Sequence, residues 1–179
     1  MAEPRPHVPV LIVVAAFSRY EEALSWGRQR LEECYGPVEL ASDPFSFNQT
    51  TYYSATMGTE LRKQFLAFRD LVAPDSLPEI KRKTNTLESD LAREQRFPEV
   101  RPLNLDPGHL SLGKFLLATT KDQAHRVYLR DGIFAEVTLR YEAGAFEPWP
   151  WTYADYRQDC VRSFLQEARD YYRERLRES

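Results

Sequence analysis

The sequence predicts a single α+β domain over residues 1–179. It combines a mixed or antiparallel sheet, split βαβ (ferredoxin-like) in its N-terminal order, with a following short helix, a β-hairpin and a long C-terminal helix. Three observations carry this reading. Apolar runs of period two alternate with runs of helical period in the order strand, helix, strand, strand, helix, strand. Asp131-Gly132 joins two alternating segments, the commonest signature of a two-residue hairpin turn. The chain's 179 residues are enough for one core without disulfide or metal staples, and its ten Phe, ten Tyr and three Trp require an interior.

Val10 to Ala16 is apolar throughout and rich in β-branched residues, the pattern of a strand covered on both faces. Ser18 and Glu21 have the spacing of a capping box, opening a helix that carries Tyr20, Leu24, Leu31, Cys34 and Tyr35 on one side. Gly36-Pro37 closes it. Val38 to Phe47 reads as extended and interrupted at Pro44, Asn48 to Thr59 as a loop, and Phe65 to Leu71 as a strand. A second capping box, Ser76 to Glu79, opens a helix with Leu77, Ile80, Thr84, Leu87 and Leu91 at helical spacing, stopped before Pro98. Val100 to Leu105 reads as a strand near an edge, because Pro102 cannot donate to a ladder.

In the second half Asp106 caps a short helix with Pro107 in its first turn. Val127 to Arg130 and Ile133 to Tyr141 form the hairpin, with a second turn at Gly144 and a short strand around Phe146. A stiff Pro148-Trp-Pro-Trp151 loop leads into a helix from Thr152 to Leu176, with Val161, Phe164, Leu165, Ala168 and Tyr172 facing inward. The alternating Arg and Glu from Arg169 to Glu178 read as its solvated face.

Composition excludes several classes of function. Net charge is −3 and no basic run is present, so nucleic acid is not expected as a partner. The longest apolar run, Val8 to Phe17, is interrupted by Pro9 and falls well short of the roughly 20 residues that span a membrane. The opening Met1-Ala-Glu-Pro-Arg-Pro6 lacks the charged and apolar regions of a signal peptide. Cys34 and Cys160 are isolated thiols without metal spacing. Together these imply a cytoplasmic protein.

Chemistry-bearing residues concentrate between Asn104 and Glu136. Gly108 to Lys114 matches most of a phosphate-binding loop, but Phe115 stands where a Ser or Thr would hold magnesium. Thr120-Lys121-Asp122 resembles a guanine-recognition motif with its aspartate one position early. His109-Leu-Ser-Leu112 matches half of a two-histidine phosphoesterase motif, and neither His7 nor His125 supplies the second half. A two-residue hairpin loop would pair Arg130 with Ile133, Val127 with Glu136 and His125 with Thr138. His125 and Glu136 then share a face as diagonal neighbours, with Arg126 and Tyr128 opposite. An imidazole beside a carboxylate suits acid–base chemistry or half a metal site, and equally a satisfied polar pair. The Trp149 to Trp151 loop with Tyr153 and Tyr156 reads either as a pocket wall or as a lid on the core.

The strings Asn104-Leu-Asp-Pro-Gly108, Thr119-Thr-Lys-Asp122, His125-Arg-Val-Tyr-Leu129, Gly132-Ile-Phe-Ala-Glu136 and Pro150-Trp-Thr-Tyr-Ala-Asp-Tyr156, with Thr84-Asn85 and Glu88, resemble the bacterial domain-of-unknown-function family 4416 over nearly the whole chain. The resemblance implies a bacterial, stand-alone protein and no particular activity. The family pattern more often has tyrosine at His109 and alanine at Gly113, which makes the two phosphate-motif matches accidents of this chain.

Two hypotheses follow. The first is a small-molecule-binding protein or enzyme acting on an anionic ligand, a phosphorylated one among the options. His125, Glu136 and Asp106 would be its acid–base groups, and Lys121, Asp122, Arg126, His109 and Lys114 its ligand contacts. No cofactor is specified, and the metal requirement stays open. The second is a non-enzymatic interaction module using a sheet edge or the aromatic loop, with a homodimer as one option.

Overall fold

The computed structural model describes Glu3 and residues 5–178. Residues 1, 2, 4 and 179 are not described, so the reading of the first residues for a leader lies partly outside it. The strands are β1 (Val10–Ser18), β2 (Val38–Ala41), β3 (Phe45–Ser46), β4 (Arg62–Val72), β5 (Asn104–Leu110), β6 (Lys114–Thr119), β7 (Val127–Arg130), β8 (Ile133–Glu142) and β9 (Ala145–Pro148). The helices are α1 (Glu21–Tyr35), the short α2 (Ser54–Met57), α3 (Leu77–Arg93) and α4 (Asp159–Glu178).

All strands join one open antiparallel sheet of order β2-β4-β1-β5-β6-β8-β7, with β3 beside β4 and β9 beside β8. The first four strands of that order reproduce the split βαβ arrangement that the element order predicts. β1 is central, and all nine of its residues are buried, as its unbroken apolar run requires. Its alternate residues feed two cores. Ile12, Val14 and Ala16 pack under α1 and α3 with Leu24, Leu31, Ile80, Leu87 and Leu91. Leu11, Val13 and Ala15 pack under α4 with Phe115, Leu139, Phe164, Leu165 and Tyr172. The sheet is therefore covered on both faces, with α4 opposite the other two long helices.

Both predicted capping boxes resolve differently. Ser18 stays in β1, where its hydroxyl accepts from the Tyr20 N–H at 2.9 Å and donates to the Pro102 carbonyl at 2.6 Å, so α1 starts only at Glu21. Ser76 ends a 3-10 turn and donates back to the Ala73 carbonyl at 2.6 Å. The segment read as a loop contains α2. The long helix starts at Asp159, after a separate 3-10 turn at Ala154–Arg157.

The largest correction concerns Asn104 to Thr119. No helix follows Asp106. The segment is the hairpin β5–β6, and Asp106 and Pro107 lie within a strand. Local signals at Asp106-Pro107-Gly108 favour a helix start, but apolar residues at 103, 105, 110, 115 and 117 are buried only if both segments are extended. Gly108 makes the close approach possible: a Cβ there would stand 2.3 Å from the Leu116 carbonyl oxygen and 2.7 Å from the Phe115 ring.

In the second hairpin Asp131 (φ 55°) and Gly132 (φ 75°) make the expected tight turn, and Arg130 pairs with Ile133. An irregularity between Tyr128 and Arg130 then shifts the register by one, so Val127 pairs with Ala135 rather than Glu136. Tyr128 consequently joins the face of Phe134, their ring centroids 5.3 Å apart. β7 begins at Val127, so no pairing of His125 with Thr138 forms.

Gly108→Ala is expected to destabilise the fold by about 1–3 kcal/mol or more, because the added methyl meets rigid backbone. Gly113→Ala, with nothing within 4 Å of its Cβ, should stay within about 0.5 kcal/mol of the parent in urea unfolding. Equal stabilities for the two variants would refute the close-approach account.

Candidate functional site

The site originates in a gap between two strands. β5 pairs with β6 only at Gly108–Leu110, while its N-terminal half stays on β1 and the end of β6 stays on β8. At Leu105 the groups facing the gap are taken by helix α3. The Leu105 N–H donates to Glu88 Oε1 at 2.7 Å, and Lys81 Nζ donates to the Leu105 carbonyl at 3.1 Å. Backbone direction alternates along a strand, so Pro107 turns its nitrogen towards the same gap and has no N–H to offer. The ladder stops there. A cavity of about 520 Å³ opens at the gap, on the sheet face that carries α4.

Register places the polar lining. Lys63 pairs with Phe17 and Phe17 with Asn104, which makes a row across β4, β1 and β5; Ala15 and Asp106 belong to the next row on that face. Lys81 passes through the gap from α3 to Asp106 Oδ1 at 3.2 Å, and Asn104 Nδ2 donates to Asp106 Oδ2 at 2.7 Å. Desolvation pushes the Asp106 carboxyl up, but the Lys81 and Lys63 ammoniums with the Lys81 and Asn104 hydrogen bonds outweigh it and hold the carboxyl below its ordinary value. Its side chain is 27% exposed, so an ionised carboxylate borders the cavity. Glu88 shows the opposite balance: burial dominates over Lys81 and Arg101 and raises its carboxyl.

Lys63 is 2% exposed and bonds Asp155 at 2.5 Å. Its ammonium lies 4.7 Å from the Tyr156 ring centroid, 4.9 Å from Phe47 and 5.3 Å from Phe17, so aromatic faces and a carboxylate together replace water around the charge. Arg101 donates Nε and Nη2 to Glu88 Oε2 at 3.2 and 2.9 Å and a further bond to Asn104.

The far wall is Glu136, buried on β8. It accepts from Arg126 Nε at 2.8 Å and Thr138 Oγ1 at 3.2 Å, and His125 Nε2 lies 3.3 Å away. Arg126 also donates to the Lys121 carbonyl at 3.0 Å and the Tyr153 hydroxyl at 2.7 Å. The His125 ring stacks on Trp151 at 5.3 Å, and Trp151 on Trp149 at 5.1 Å. At the rim Lys121 Nζ donates to the Tyr52 hydroxyl at 3.0 Å and lies 4.2 Å from its ring centroid. Hydrogen bonding and charge from Lys121 lower the Tyr52 phenol, with a smaller contribution from Arg101.

Of the residues singled out in the sequence, Asp106, Lys121 and Glu136 line this one cavity, with His125 and Arg126 bonded behind Glu136. Arg126 does not stand opposite His125, because it precedes β7 in a turn and reaches the same carboxylate. Asp122 is exposed on the loop beyond Lys121 and outside the lining. Lys114 is exposed at the start of β6, and His109 is buried on the sheet face opposite the cavity, beside Ile12. Sequence reasoning missed Lys63, Lys81, Arg101, Asn104 and Asp155, while Tyr153 and Tyr156, read as either a pocket wall or a lid on the core, line the cavity. One signal was present: Leu77, Lys81, Thr84, Glu88 and Leu91 lie on one helical stripe, with two charges in apolar company. Among the described residues no three His, Cys, Asp or Glu side chains converge as a metal site.

A family model described as "Domain of unknown function (DUF4416)" matches residues 8–172, and the chain belongs to that family. No curated protein and no solved structure matches it.

His109 yields a pH prediction. Burial lowers its imidazole from 6.5 to about 4, and its Nε2 has no partner among the described residues. Between those values the unfolded chain binds the extra proton, so stability falls as pH drops from about 6.5 to about 4, by on the order of 3 kcal/mol for a shift of this size. His109→Leu should flatten this segment of the stability–pH curve measured by urea unfolding; an unchanged slope would contradict the assignment.

Proposed function

We propose that this family member binds a small anionic ligand in the cavity between β5 and β6, a phosphorylated one by preference, and that it can act on that ligand. One observation carries the reading: Lys63, Lys81, Arg101 and Lys121 converge on a single cavity. Lys63, Lys81 and Arg101 are engaged by Asp155, Asp106 and Glu88, whereas among the described residues the exposed Lys121 ammonium bonds only Tyr52 and keeps donors for an incoming anion. Arg101 stands beside it, within electrostatic reach of the same Tyr52 hydroxyl. Asp106 is the group suited to chemistry, a carboxylate held ionised at the cavity surface.

Among the described residues no helix is long and apolar enough to cross a membrane. A bacterial cytoplasmic setting fits this reading, with Cys34 and Cys160 as exposed free thiols. A second reading rests on β7. This strand forms one end of the sheet, with Val127, Tyr128 and Leu129 exposed, and would suit a homodimer formed edge to edge. Sedimentation at rising concentration separates the two readings, since only the second requires a dimer.

A thermal-shift screen against inorganic phosphate, sugar phosphates and nucleotides tests the proposal. A ligand at about 100 times its Kd stabilises the folded state by roughly 2.7 kcal/mol, a rise of several degrees for a chain of this size. Lys121→Ala should weaken that ligand by about tenfold or more while leaving the unliganded Tm unchanged, because Lys121 is exposed. A screen with no shift for any anion would sink the reading.

A further inference from the structure

Tyr156 lines the cavity and is 2% exposed, yet its hydroxyl has no hydrogen-bond partner among the described residues. Leaving a buried hydroxyl unpaired is costly, so a group placed there to accept from it recovers that cost. Burial, then Asp155, Asp106 and Glu136, push the phenol well above its ordinary value, so it stays a donor. The same three carboxylates define the interior's charge. Asp155 and Asp106 already neutralise Lys63 and Lys81, and Glu136 neutralises Arg126. A phosphate pushed to this end would meet three carboxylates whose cations are already engaged. Its place is at the rim, with the exposed Lys121 and with the Arg101 Nη1, which makes no hydrogen bond among the described residues while Nε and Nη2 serve Glu88 and Asn104.

The interior end therefore selects a neutral group that accepts from Tyr156 and donates to Asp106. Asp106 uses one bond on each oxygen, from Lys81 and from Asn104, and each oxygen has a second lone pair. A hydroxyl group both donates and accepts through one atom. A flat aromatic base finds less. Phe17, Phe47 and Tyr53 pack against one another at centroid distances of 4.8, 4.9 and 6.0 Å, and Lys121 covers a face of Tyr52.

We infer that the ligand is a polyol or sugar monophosphate, its phosphate at Arg101 and Lys121 and its hydroxyl end between Asp106 and Tyr156. This rests on the reading of the cavity as an anion site and adds the chemistry of the ligand's other end.

Isothermal titration of the full chain with ribose 5-phosphate, glucose 6-phosphate, glycerol 3-phosphate, ethyl phosphate, inorganic phosphate and AMP tests it. At least one hydroxylated ester should bind about tenfold or more tighter than ethyl phosphate, which keeps the charge but lacks hydroxyls. Tyr156→Phe, which removes only the unpaired oxygen, should erase that preference and leave ethyl phosphate affinity unchanged. Asp106→Asn should do the same if it folds; if it does not, Tyr156→Phe decides alone. Lys121→Ala should weaken every phosphate ester alike. Equal affinity for ethyl phosphate and all three hydroxylated esters would overturn the hydroxyl inference and leave the anion site standing. AMP binding more tightly than all of them would overturn it in favour of a nucleotide. No binding by any phosphate would remove the anion site as well.

Discussion

Pro107 has no amide hydrogen, and it stands in β5 where the next strand would need one. Much of what distinguishes this protein from a plain antiparallel sheet follows from that position. The β5–β6 ladder holds at Gly108–Leu110, where glycine lets the chains touch, and ends one residue earlier in sequence. A buried strand with unpaired backbone groups would cost several kcal/mol. Helix α3 removes that cost by inserting Glu88 and Lys81, one accepting from and one donating to Leu105. Two side chains thus stand in for a missing strand, and the space the strand would fill becomes the cavity.

That substitution also sets the electrostatics. Placing Lys81 in the gap brings an ammonium through the sheet to Asp106, which keeps the carboxylate ionised despite its burial. Lys63 is handled by a different device, with Asp155 from the turn before α4 on one side and aromatic faces on the others. Both buried cations are locally balanced, as desolvated charges must be. The excess positive charge sits at the mouth with Lys121, where water already solvates it. The interior is polar but compensated, and the rim is cationic.

The elements with sustained periodicity were legible in the sequence: the covered strand β1, helices α1 and α3, the Asp131-Gly132 hairpin and α4. The misreadings share one cause, local signals overridden by distant contacts. Ser18 has the spacing of a helix cap, but the carbonyl that takes its hydroxyl proton belongs to Pro102. Asp106-Pro107-Gly108 has the composition of a helix start, but Gly108 is needed where β6 crosses close, and only the folded chain reveals that approach. The site divides in the same way. Asp106, Lys121 and Glu136 stand out because they occupy unusual strings. Lys63 sits between Arg62 and Gln64, where one more polar residue looks incidental, and its meaning depends on register between strands far apart in sequence.

The two carboxylates first singled out differ in what they have left to offer. Glu136 is encased: Arg126, Thr138 and His125 converge on it, and the ring stack of His125, Trp151 and Trp149 braces it from behind. A carboxylate with its lone pairs so engaged and its side chain shielded is a wall, and His125 beside it faces the stack rather than the cavity. Asp106 has two partners, capacity for more, and a surface open to the cavity. An imidazole next to a carboxylate, as His125 stands to Glu136, is a familiar acid–base unit. In the fold that pair stands at the far side of the cavity, while Asp106, beside a proline at the end of a ladder, keeps a surface open to it.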